Sequence, residues 1–101
     1  TKDPATVEIL DAYVDTQNGV FQVVAQITNF SEEGGTCTAT FTNGSKSTSV
    51  SVKAESNAAN TQCKTMEFAL GNLAKGTGEV TVKYDSTLHA GESSGTSVVI
   101  P

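Results

Sequence analysis

Thr36-Cys37-Thr38-Ala39-Thr40-Phe41-Thr42-Asn43-Gly44 decides the fold class. Threonine takes every second position, and cysteine, alanine and phenylalanine fill the positions between. Successive side chains of a strand point to opposite faces. The stretch Thr36–Thr42 therefore reads as a half-buried β-strand, with Cys37, Ala39 and Phe41 turned to a core and the four threonines turned away. Thr is β-branched and suits the outer face of a pleated sheet. Asn43-Gly44 follows directly and predicts a tight hairpin of type I′, with positive φ at both central residues.

The same alternation spreads outward from this strand. Downstream, Lys46–Ala54 turns Val50, Val52 and Ala54 inward. Upstream, Val20–Asn29 turns Phe21, Val23, Ala25 and Ile27 inward, after a turn at Gln17-Asn18-Gly19. Before that turn, Thr6–Val14 shifts its apolar phase between Val7/Ile9 and Leu10/Ala12/Val14. The shift predicts a bulge or a switch between sheets. Beyond a polar loop at Glu55–Asn60, the run Thr61–Leu70 turns Met66, Phe68 and Leu70 inward and leaves Cys63 out of phase. A corner at Asn72–Gly78 leads to Glu79–Tyr84, with Val80, Val82 and Tyr84 inward. A polar loop at Asp85–Ser94 separates it from a last strand at Thr96–Ile100. No stretch holds a 3.6-residue apolar period. Seven short strands between turn residues predict an all-β, seven-stranded antiparallel immunoglobulin-like sandwich.

The 101 residues fit one domain, 1–101, in which residues 1–5 read as an entry linker or tag remnant. Hydrophobic residues make up 37% and charged residues 17%, so the polar surplus is Ser and Thr rather than charge. The net charge of −5 lacks the basic footprint that nucleic acid or an anionic membrane surface requires. No apolar run approaches the ~20 residues of a membrane-spanning helix.

Cys37 and Cys63 are the two cysteines. Neither lies in a CxxC motif, and the single histidine cannot complete a metal site with them. An even pair in a small polar domain points to one disulfide and an oxidising compartment. Closing that loop stabilises by roughly 3–4 kcal/mol on a chain-entropy basis. The alternative is a pair of buried free thiols.

Leu73-Ala74-Lys75-Gly76-Thr77-Gly78-Glu79-Val80-Thr81-Val82 resembles the corner before strand F of fibronectin type III and related bacterial domains. Val24-Ala25-Gln26-Ile27-Thr28-Asn29, with Gly35-Thr36 after it, resembles strands B and C of the CARDB family of bacterial adhesion-related domains. The Asn43-Gly44-Ser45-Lys46 hairpin extends the likeness, which covers most of residues 20–84. The resemblance implies an extracellular module of a bacterial surface or secreted protein. Antibody-type domains place their cysteines in strands B and F; here they fall in the third and fifth predicted strands.

Candidate chemistry is sparse. His89 has Asp85, Ser86, Glu92, Ser93 and Ser94 nearby in sequence, and it reads as a solvated loop residue rather than part of a triad. Asp11, Asp15, Glu32, Glu33 and Asp85 could offer hard oxygen ligands to calcium, but no run has the spacing of a dedicated loop. Tyr13 and Phe30 are the aromatics outside the predicted core, a thin platform for a sugar. Asn29-Phe30-Ser31 and Asn43-Gly44-Ser45 are sequons, which matter only in a eukaryotic source. The Thr/Ser ladders of the third and fourth strands are uncharged and permit pairing with another protein. The expectation is a non-enzymatic spacer or adhesion module, monomeric within a larger chain and without a cofactor. Its partners would be other proteins or cell-surface glycans. The alternative is a carbohydrate- or calcium-binding accessory module of a secreted enzyme.

Overall fold

The Thr36–Thr42 stretch lies in the middle of the sheet. A computed structural model describes residues 3–73 and 75–100, and among them ten strands form. They are β1 (Asp3–Pro4), β2 (Val7–Asp15), β3 (Val20–Ile27), β4 (Thr36–Asn43), β5 (Lys46–Ser56), β6 (Thr61–Cys63), β7 (Met66–Ala69), β8 (Gly76–Asp85), β9 (His89–Glu92) and β10 (Thr96–Ile100). A 3-10 turn, Leu70–Asn72, follows β7. The strands join in one path, β1-β9-β8-β4-β5-β6-β3-β2, with β10 also on β8 and β7 also on β3.

This corrects the expected seven antiparallel strands on two counts. The first is number. The predicted fifth strand is two strands, because the chain breaks register at Lys64-Thr65. Thr61 and Cys63 are buried before the break, and Met66 and Phe68 are buried after it. The odd step from 63 to 66 is what put Cys63 out of phase. β1 and β9 are the other additions, and neither carries an apolar alternation that sequence could reveal. The second count is direction. β1 runs parallel to β9, with Asp3 opposite His89 and Pro4 opposite Ala90, so the sheet is mixed. Of the predicted entry linker at 1–5, Asp3–Pro4 are in this strand and Ala5 is buried in the core. Thr1 and Lys2 lie outside the described residues.

Two turn readings meet different fates. The phase shift in β2 is a bulge: pairing with β3 slips between Ile9 and Asp11. The extra residue, Leu10, turns outward and is 48% exposed. The second hairpin is not of type I′. Asn43 pairs with Lys46, so Gly44 and Ser45 are the central residues. Gly44 has φ 63°, and no non-glycine among the described residues has positive φ. One positive φ, at the first central position, is the requirement of a type II′ turn.

The sheet curls at β5. This strand pairs with β4 over Lys46–Lys53 and with β6 over Ala54–Ser56. In a flat sheet, β4 and β6 would lie two strand spacings apart, about 9.6 Å. Yet Cys37 of β4 and Cys63 of β6 have Cα atoms 5.8 Å apart and are joined by a disulfide. A disulfide does not span more than about 7 Å, so the bend at β5 must bring the two halves face to face. The core fills the space between them. Phe21 of β3 meets the Phe41 ring of β4 edge-on at 5.8 Å and stacks with Phe68 of β7 at 5.6 Å. Val23, Ala25, Ile27, Ala39, Met66, Val80, Val82 and Tyr84 are also buried there.

Candidate functional site

The two cysteines predicted to pair do pair, and the disulfide is buried on both sides. It sits beside β5: Cys37 is opposite Val52 and Cys63 is opposite Ala54. The bridge therefore clamps the line along which the sheet bends.

Next to it lies a polar cluster that sequence reasoning missed. Cys37 is also opposite Tyr84 on β8, whose side chain runs beneath the loop between β3 and β4. A Cβ on Gly35 would overlap the Tyr84 hydroxyl, so only glycine lets that loop close over the ring. The Tyr84 hydroxyl donates to Glu32 Oε1 at 2.6 Å. The other carboxylate oxygen, Oε2, lies 2.9 Å from Nδ1 of His89. Phe30 stacks on the His89 ring with centroids 3.7 Å apart and meets Tyr84 edge-on at 5.6 Å. Thr61, fully buried, ties the loop down. Its Oγ1 donates to the Phe30 carbonyl and accepts from the Glu32 amide, each at 2.9 Å.

His89 is thus a half-buried strand residue rather than the solvated loop residue expected from its polar neighbours. Nothing in the sequence marks it, because Glu32 is 57 positions away and Phe30 further still. Burial pushes the Glu32 carboxyl up. Hydrogen bonds from Ser86, Tyr84 and His89, with the charge of His89, outweigh that and hold it below its ordinary value. Burial, and then the hydrogen bond to Glu32, pushes the Tyr84 hydroxyl up to about 12.

Ser86, His89 and Glu32 are the residue types of a hydrolytic triad, but their bonding is that of a brace. The Ser86 hydroxyl accepts from the amides of Leu88 and His89 at 3.2 and 3.0 Å and donates to the His89 carbonyl at 3.3 Å. Its lone pairs close its own turn, and its hydroxyl is shared between the His89 carbonyl and the Glu32 carboxylate.

The other candidates lie apart. Asp15 caps its own hairpin, accepting from the Gln17 and Asn18 amides at 3.1 and 3.2 Å. The hydrogen bonds from Asn18 hold its carboxyl below the usual range. Glu33 accepts from Ser56 at 3.1 Å. Asp11 lies on β2 and Asp85 ends β8. Among the described residues, no three His, Cys, Asp or Glu side chains are grouped to hold a metal ion. Phe30 gives one ring face to His89 and meets Tyr84 edge-on. Tyr13 is 44% exposed and donates to Gln22, which in turn donates to Glu67 at 2.6 Å.

Of the Thr/Ser ladders expected to permit strand pairing, that of β4 is interior, flanked by β5 and β8. β5 pairs with β4 alone over Lys46–Lys53 and with β6 only over Ala54–Ser56, so its ladder edge has no strand partner among the described residues. Thr38 bonds Ser51, and Thr40 bonds Ser49, each at 3.0 Å. Two more edges are open among the described residues: there β2 pairs only with β3, and β10 only with β8. A groove of about 290 Å³ runs between the start of β2 and the approach to β10, lined by Thr6, Val7, Glu8, Ile9, Ser93, Ser94 and Thr96. No helix among the described residues is long and apolar enough to cross a membrane.

No family model, no curated protein and no solved structure matches the chain.

Proposed function

We propose that this chain is a non-enzymatic extracellular module of a bacterial surface or secreted protein, an immunoglobulin-like or fibronectin type III-like sandwich that acts as a spacer or adhesion unit. One observation carries the reading: the first and last described residues lie at opposite ends of β8. Asp3 is opposite His89, and β9 pairs with the Lys83–Asp85 end of β8. Ile100 is opposite Gly76 at the other end. Nine residue steps of strand separate them, about 30 Å, in a molecule whose longest extent is 37 Å. A chain that enters at one end and leaves at the other can string such units in a line. The buried disulfide supports the rest of the reading, since such bonds persist in oxidising compartments. So does the CARDB-like pattern of residues 20–84.

Stretching a tandem array of the module between its ends tests this. Each unit is expected to unfold as a discrete event. The length released should be about 85 Å shorter under oxidising than under reducing conditions, because the bond hides the chain from Cys37 to Cys63. Extension without discrete events, at forces no higher than an unstructured chain needs, overturns the spacer reading.

A further inference from the structure

We infer that the groove between β2 and β10 receives an extended, basic peptide segment of a partner protein, which adds to the sheet as a strand along Val7–Ile9. The inference deepens the adhesion part of the proposal above and rests on it for the kind of partner alone.

Three observations meet at this groove. The first is backbone. β2 and β10 face each other where the curled sheet fails to close, and each lacks a ladder partner on that side among the described residues. Such an edge presents a row of N–H and C=O groups spaced to bind an extended chain. The second is the groove wall. Val7 and Ile9 are half-buried at the rim of the core, and Val98 of β10 is buried beyond it. Every second side chain of an added strand would meet this apolar lining.

The third observation is charge, and it selects the occupant. Glu8 lines the groove, Asp11 follows it on β2, and Glu79 lies against Gly95 at the far wall, where a Cβ would overlap its carboxylate. The chain has no arginine, and its described lysines are 46, 53, 64, 75 and 83, none of them on β2, β9 or β10. An acidic rim with no cation among the described residues that line it favours a segment that alternates Lys or Arg with apolar residues. It disfavours a second copy, because edge-to-edge pairing would set Glu8, Asp11 and Asp15 against their own kind.

The test is a titration of the intact, oxidised protein, followed amide by amide by nuclear magnetic resonance. The probe is a soluble hexapeptide alternating Lys and Val. Controls are its Glu/Val counterpart and a Lys/Val peptide N-methylated at alternate amides. Saturable shifts at Thr6–Ile9 and Ser93–Thr96, slowed exchange of β2 amides, and no saturation with either control are expected. Glu8→Lys and Glu79→Lys together should weaken binding at least tenfold while leaving the melting temperature of this exposed site unchanged. Equal binding of the N-methylated peptide would reduce the effect to charge attraction and overturn the inference. So would shifts centred elsewhere, or no saturation. Neither result touches the spacer reading, which the stretching experiment decides without any peptide.

Discussion

The middle of the molecule and its Asp85 end are both buried, but by different means. The middle is held by apolar area: Phe21, Phe41 and Phe68 touch rings and carry no polar atom. The end is held by directed bonds: the Tyr84 hydroxyl, both Glu32 carboxylate oxygens, His89 Nδ1 and Thr61 Oγ1 each have a named partner. Apolar burial is indifferent to pH and has no preferred direction. A hydrogen-bonded carboxylate depends on both. The same domain therefore contains a region that should respond only to lost volume and a region that should respond to protons.

The largest effect expected is in the middle. Phe21→Ala should cost about 3–5 kcal/mol, with the same loss at every pH, read from denaturant melts. A loss that varied between pH 4 and pH 8 would show that the two regions are coupled rather than separate. Glu32→Gln should cost about 1–3 kcal/mol at pH 7, since it weakens charge-assisted bonds inside a nearly closed site. The pH dependence sharpens the contrast. The Glu32 carboxyl is held below its ordinary value of 4.5, so its contribution is present above that value and is lost as pH falls through the lower folded value. Glu32→Gln should flatten that acid limb, and Phe21→Ala should not.

At the alkaline side the sign is the reverse. Tyr84 is raised from 10.0 to about 12, so its contribution is complete below pH 10 and is lost between 10 and 12. Following tyrosinate absorbance beside stability should place one tyrosine in that upper window, and Tyr84→Phe should remove it. The smallest effect belongs to the outer face of β4. Thr40→Val removes one side of the hydrogen bond to Ser49 on an open surface, and a change within about 0.5 kcal/mol in thermal melts is expected.

How far the fold is legible follows the same division. β3, β4, β5 and β8 are central strands, and their period-two patterns show them directly. The bulge at Leu10 is legible too, because an extra residue must break the phase. The split between β6 and β7 is visible only as Cys63 falling out of step. β1 and β9 could not be read, since Asp3-Pro4 and His89-Ala90-Gly91-Glu92 carry no apolar alternation. They are strands because of what lies beside them. The turn type was lost for a related reason: Asn43-Gly44 is a strong local signal, but the register with Lys46 moved the turn forward by one residue. The Glu32–His89 cluster joins residues that only the closed fold brings together, so no local signal exists for it. The disulfide was readable as a pair, but its place across the bend was not.

β5 belongs to both halves of the sheet at once, eleven residues that leave one partner and take up another. A layered protein with separate sheets can let one sheet fray while the other holds, and amide exchange then reports two stabilities. Here β5 holds β4 through Lys46–Lys53 and β6 through Ala54–Ser56, and the neighbouring disulfide joins those two partners directly. Slow amides on β3 and on β8 should therefore exchange with a common free energy, equal to that of global unfolding. On that expectation the bend that hides the core also ties exposure of one half of it to exposure of the other.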